Sequence, residues 1–174
     1  MRRISTLAVA GALTACNAPP SSTGFFPLEA GHRWTYDVKT EWDNNVVEHE
    51  PLVLSTHGSD TLAEGGAAFR RRSDSGVDYW LRSDDTGIYR VASKSDLDAE
   101  PKLDAPRRYV LKAPLAAGSS WQASTTAYLL KRRAEFPREI RHTHPSIAMT
   151  YTIEAVDEKV QTRAGAFDNC LRVK

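Results

Sequence analysis

The chain has 174 residues, of which 41% are hydrophobic, 26% charged and 9% aromatic. That is a globular composition at a length for one domain, or two at most. Lys and Arg number 23 against 22 for Asp and Glu, so there is no basic excess of the kind a dedicated nucleic-acid binder carries. No apolar run approaches the ~20 residues of a spanning helix. Two cysteines are too few for a disulfide-dense scaffold or a four-cysteine zinc site.

Met1-Arg2-Arg3 is a short basic start, and Ile4 to Ala15 is small and mostly apolar. Such a stretch is too short to span and has the size of a signal-peptide core, so residues 1–15 are expected to be a signal peptide. It closes on Leu13-Thr14-Ala15-Cys16, which resembles the bacterial lipoprotein lipobox. The resemblance implies cleavage between Ala15 and Cys16 and acylation of the Cys16 thiol. Two or more acyl chains hold firmly to a bilayer, where one alone binds marginally. Asn17 follows the cysteine where an Asp would resemble an inner-membrane retention signal. The expected location is therefore the outer membrane, facing the periplasm. Asn17 to Gly24 is rich in Pro and Ser; it cannot pack a core and is expected to be an extended tether.

From Phe25 the pattern changes. Trp34, Tyr36, Val38, Thr40 and Trp42 alternate with polar residues, as on a half-buried strand with one wet face. Asp43-Asn44-Asn45 is a turn cluster, and Val46 to Ser55 is the expected partner strand. Pro51 inside it predicts an edge position or a break. Short strands are then expected over Ala68–Arg72, Val77–Arg82 and Ile88–Ser93, separated by Asp74-Ser75-Gly76 and by Ser83 to Gly87. Turn clusters about ten residues apart indicate hairpins. Lys94 to Pro106 reads as a polar, acidic loop, and Arg107 to Lys112 as a strand. Trp121 to Leu130 reads as strand, with a helical turn competing over Tyr128 to Phe136, whose residues are good helix formers. Ile147 to Ala155 alternates cleanly. Asp157-Glu158 is the expected turn into Lys159–Thr162, and Ala164-Gly165 the turn into Phe167–Val173. No helical apolar stripe is sustained. The expected fold is mainly β: a strongly curved antiparallel sheet or partly closed barrel over residues 25–174, with few short helices.

Pro27-Leu28-Glu29-Ala30-Gly31-His32-Arg33-Trp34 matches Pro114-Leu115-Ala116-Ala117-Gly118-Ser119-Ser120-Trp121. The shared pattern is P-L-x-x-G-x-x-W. Proline fixes an extended approach, leucine plugs a core edge, glycine permits a positive φ, and tryptophan starts the strand inward. Two origins fit: convergent strand-opening turns, or a duplication with halves near residues 25–88 and 113–174. On this reasoning both indoles are expected to be buried.

The lipobox, the Phe26-Pro27-Leu28-x-x-Gly31-x-x-Trp34-x-Tyr36 opening and the Arg163-Ala164-Gly165-Ala166-Phe167-Asp168-Asn169-Cys170-Leu171-Arg172-Val173 close together resemble a broad group of uncharacterised bacterial lipoproteins. There the later motif reads closer to P-A-G-T-F; here Arg163 and Ala166 replace its Pro and Thr. The architecture is similar, more distantly, to curved-sheet lipoprotein carriers such as LolA and LolB. Relatives commonly continue past this motif, whereas this sequence stops at Lys174 within an expected strand, either as an edge or in a shortened gene.

Chemistry-bearing clusters are few. His142-Thr143-His144 on a strand would share one face, but no further ligand at metal spacing supports them. Asp96-Leu97-Asp98-Ala99-Glu100 resembles the start of a calcium loop, with Pro101 where the glycine belongs and Arg107 where the terminal glutamate belongs. Cys170 is expected to be a small buried hydrophobe. Arg70-Arg71-Arg72 and Lys131-Arg132-Arg133 are basic triplets, and on strands the middle residue of each would point opposite to its neighbours. No catalytic motif, metal site or cofactor fingerprint is present, so the chain is expected not to be an enzyme. Two functions fit. One is a non-catalytic envelope module, held to the membrane through Cys16 and meeting a protein or lipid partner. The other is a lipid or lipoprotein carrier. In either, Trp34, Tyr36, Trp42 and Trp121 are the expected ligand or partner face.

Overall fold

A computed structural model describes residues 24–41, 45–63, 66–128 and 142–174, with side chains omitted at 126–128 and 142–146. Among the described residues every regular element is a β-strand. The strands are β1 (Arg33–Glu41), β2 (Val47–Leu62), β3 (Gly66–Ser73), β4 (Asp78–Asp84), β5 (Gly87–Lys94), β6 (Lys102–Lys112), β7 (Ser120–Tyr128), β8 (His142–Thr162) and β9 (Gly165–Val173). Strands β1 to β6 form an antiparallel meander in chain order, and β7, β8 and β9 form a second, three-stranded sheet. The first sheet curls through 205° as a half-barrel. Its consecutive strands are joined largely by short connections, as the regular turn spacing requires.

The two sheets share one core. Leu28, Leu81, Ile88 and Leu111 from the first part of the chain pack with Trp121 and Ile153 from the second. Phe69, Tyr79, Tyr109 and Tyr151 close around them. Cross-strand partners on a sheet share a face, so the pairs Phe69–Leu81 and Arg71–Tyr79 place Arg71 on this core face. The opposite face carries a smaller cluster of Leu62, Ala68, Trp80 and Ala92.

Three expectations are corrected. Pro51 neither breaks β2 nor puts it at the sheet's edge along its whole length. Residues before Leu54 pair only with β1, and pairing to β3 starts at Leu54. Pro51 thus sits where the strand has one neighbour, the local edge its missing N–H requires. Asp157-Glu158 is not a turn but an irregularity inside continuous β8, with Asp157 at φ 58° and repeated register shifts against β9. A bulge absorbs extra residues without ending the strand. The loop before β6 is shorter than expected, because β6 already begins at Lys102 and loops out residues between Leu103 and Arg108 opposite Arg90–Ala92.

Both P-L-x-x-G-x-x-W segments lead into a first strand and are tied the same way to the strand that follows. Gly31 donates its N–H to the Thr56 carbonyl, and Thr56 donates to the His32 carbonyl. Gly118 donates to the Ile153 carbonyl, and Ile153 donates to the Ser119 carbonyl. Two residues after each glycine the register is again equivalent, with Arg33 opposite Ser55 and Ser120 opposite Thr152. The far side of each middle strand then shifts register at the same place, between Thr56 and Gly58 and between Ile153 and Ala155. Gly31 and Gly118 have φ of 93° and 87°, the conformation that a Cβ resists and glycine permits.

Candidate functional site

The first motif delivers two aromatic side chains to one place. Residues i and i+2 of a strand share a face, so Trp34 and Tyr36 project together from β1. Phe26, from the segment before the motif, joins them. Between these rings lies Arg71 of β3. Its guanidinium carbon is 4.6 Å from the Trp34 ring centroid and 4.7 Å from that of Phe26. Its Nη2 donates to the Tyr36 hydroxyl at 3.2 Å. Arg71 is only 8% exposed, and its shielded Nε–H has no hydrogen-bond partner. Among the described residues no carboxylate lies within ion-pair distance of it. The π faces of two rings therefore take the place of a counter-ion, an arrangement that gains strength when desolvated. Tyr36 remains 40% exposed and Trp34 half-buried, so the cluster forms part of the surface.

Trp121 does not join them. It is 4% exposed, its indole N–H donates to the Tyr109 carbonyl at 3.3 Å, and its ring stacks on Tyr151 at 5.5 Å. The expectation that both motif indoles are buried is thus met by Trp121 and corrected for Trp34. Thr56, which faces the first motif, spends its hydroxyl on the Glu29 carbonyl and the His32 N–H, and this polar wedge stands where Ile153 packs apolar surface in the second copy. The expected shared face is accordingly divided, with Trp34 and Tyr36 together and Trp121 in the core. Trp42 and Cys16 lie outside the described residues, as do Lys131-Arg132-Arg133 and, apart from Tyr128 in β7, the Tyr128 to Phe136 stretch where a helical turn competes with strand. The side chains of His142 and His144 also lie outside them.

The other sequence candidates resolve into structural roles. In the Arg70-Arg71-Arg72 triplet the middle residue does point opposite to its neighbours. Arg72 pairs with Asp78 at 2.6 Å and Asp96 at 3.2 Å, and Arg70 lies 4.0 Å from Asp60. The acidic loop is organised as a turn: Asp98 accepts from the Ser95 N–H and hydroxyl and pairs with Lys102. Lys102 first, then Ser95, hold its carboxyl down to about 2. Among the described residues no three His, Cys, Asp or Glu side chains group as metal ligands. Cys170 is half-buried on β9.

Sequence inspection missed a polar–aromatic cluster at the β4–β5 turn. Asp84 accepts from Thr86 and from the Tyr89 hydroxyl, and the Arg107 guanidinium lies 4.5 Å from the Tyr89 ring centroid. Burial, then the hydrogen bond to Asp84, raises the Tyr89 hydroxyl above its ordinary pKa. The local signal was the Asp84-Asp85-Thr86 turn; Tyr89 comes from β5 and Arg107 from β6, across the sheet. Comparison with family models, curated proteins and solved structures finds no match for this chain.

Proposed function

We propose that the protein is a membrane-anchored envelope lipoprotein, acylated at Cys16, that acts as a non-catalytic binding module at the periplasmic face of the outer membrane. The observation that carries the binding role is the Phe26–Trp34–Tyr36 cluster around Arg71, which combines an exposed phenol with a cation that no carboxylate among the described residues neutralises. Large aromatic rings and arginine are the side chains that most often anchor a partner. The partner is an envelope protein or a lipid.

A lipid carrier is the alternative, and it needs a dry cavity for acyl chains. The core face is instead filled by the protein's own Leu28, Leu81, Ile88, Trp121 and Ile153, which supports the module. Growth with labelled palmitate tests the anchor: the wild type takes up label and Cys16→Ala does not. Equal labelling of both removes the lipoprotein assignment. Native mass spectrometry of the purified protein separates module from carrier, since co-purified acyl lipid in stoichiometric amount is expected only of the carrier.

A further inference from the structure

The two sheets meet along β6 and β7, the last strand of one and the first of the other, and they part there into a cleft of about 460 Å³. Such a volume suits a small ligand. One wall is β6 where it bulges away from β5, with Asp104 and Arg108; Arg90 of β5 stands behind it. The other wall is Gln122, Ser124 and Thr125 of β7.

Among the described residues the charges in this cleft do not cancel. Asp104 is the one carboxylate among them that lines it, and both its oxygens are taken by Arg90, at 2.6 and 2.7 Å. Arg107 reaches Asp84, 3.3 Å away. Arg108 has the hydroxyl of Thr125 as its hydrogen-bond acceptor, and among the described residues no carboxylate lies within ion-pair distance of it. Burial, and next the neighbouring Arg90 charge, pull its guanidinium below the ordinary arginine value, though an arginine stays protonated regardless. A partly buried cation held beside a second cation is costly unless something neutralises it. Elsewhere in this protein partly buried arginines are neutralised by carboxylates, as at Arg72 and Arg90, or enclosed by rings, as at Arg71.

We propose that this cleft between β6 and β7 is a binding site for a small oxyanion group, a phosphate or carboxylate, received by the Arg108 guanidinium beside the Thr125 hydroxyl. The planar guanidinium fork matches either group in a bidentate pair. The Thr125 hydroxyl, already beside the guanidinium, supplies a further donor. The site is separate from the Arg71 cluster and does not depend on acylation.

The test uses the full chain carrying Cys16→Ser, labelled with nitrogen-15 and titrated with sodium phosphate and with sodium acetate against sodium chloride at matched ionic strength. Saturable shifts of the Arg108, Ala123 and Thr125 amides are expected with phosphate or acetate and not with chloride. Arg108→Gln should weaken the dissociation constant at least ~10-fold, the loss of one charge-assisted contact worth ~1.4 kcal/mol, and Arg108→Lys should restore part of it. Ala148→Phe, which keeps Arg108 but fills the cleft, should also abolish the shifts, so a folding defect in one variant does not decide the outcome. Sedimentation with phosphatidylglycerol vesicles identifies the source: Arg108-dependent binding marks a lipid headgroup, and its absence alongside phosphate or acetate binding marks a free ligand. Shifts no larger than those with chloride, or shifts that survive both Arg108→Gln and Ala148→Phe, overturn the proposal.

Discussion

The two P-L-x-x-G-x-x-W segments have the same backbone and opposite uses. Each glycine donates to the middle strand of a three-stranded unit and each takes a positive φ. Yet the indole that follows is half-buried against Arg71 in the first copy and sealed into the core in the second. The side chain that meets the motif explains the divergence. Thr56 presents a hydroxyl that serves Glu29 and His32, whereas Ile153 presents hydrocarbon to Trp121 and Leu28. A backbone hydrogen-bond pattern can be specified by four residues, while the destination of a side chain depends on what the opposite sheet offers.

The comparison is broken most sharply at the tryptophans. Trp121→Ala should cost ~3–5 kcal/mol, because a buried indole leaves a large cavity. Trp34→Ala should cost well under half of that, since the ring already meets solvent. Denaturant melts of the two variants check this, and equal losses would erase the distinction between copies. Thr56→Val comes next. It leaves the His32 N–H and the Glu29 carbonyl without the threonine hydroxyl, a loss of about 2 kcal/mol, and it has no counterpart at Ile153. The same melts should show it.

How far the sequence could go follows from these residues. Period-two alternation placed β1, and the turn clusters at Asp74-Ser75-Gly76 and Ala164-Gly165 placed two hairpins, because both signals are local. The positive φ of Gly31 and Gly118 was legible for the same reason. The burial of Trp121 against the exposure of Trp34 was not, since it depends on strands far along the chain. Asp157-Glu158 looked like a turn because a bulge and a turn use the same residues. Of the candidate site, Trp34 and Tyr36 were visible as one face. Arg71 was visible only as the odd member of a triplet, and Arg108 gave no local signal, because its meaning lies in which described groups stand across from it, Thr125 and no carboxylate among them.

Smaller effects sharpen the picture. Gly31→Ala and Gly118→Ala should each cost about 1 kcal/mol and should match one another. An added Cβ meets nothing within 4 Å at either site, leaving backbone conformation as the cost. Thermal melts giving one neutral and one costly variant would show that the copies are not equivalent.

The smallest effect lies outside both copies. Asp98 has its carboxyl held down to about 2 by Lys102 and Ser95. A folded-state value below the unfolded ~3.9 stabilises the fold above that unfolded value, and the contribution is lost as pH falls through the folded value. Acid titration should therefore loosen the β5–β6 turn between about pH 4 and pH 2. Asp98→Asn should remove that step and leave Trp121 fluorescence unchanged over the same range. Amide exchange at Ser95 and Asp98 reports it.

The central claim is that proline, leucine, glycine and tryptophan alone specify the backbone hook, and that the intervening residues are free to serve the surface. Glu29→Ala, His32→Ser and Arg33→Ser together convert residues 27–34 into the sequence of residues 114–121. A denaturant melt of this triple variant should remain cooperative and lie within about 1 kcal/mol of the wild type, the range of surface substitutions with few partners. A loss of ~3 kcal/mol or more, or a transition that is no longer cooperative, would contradict it.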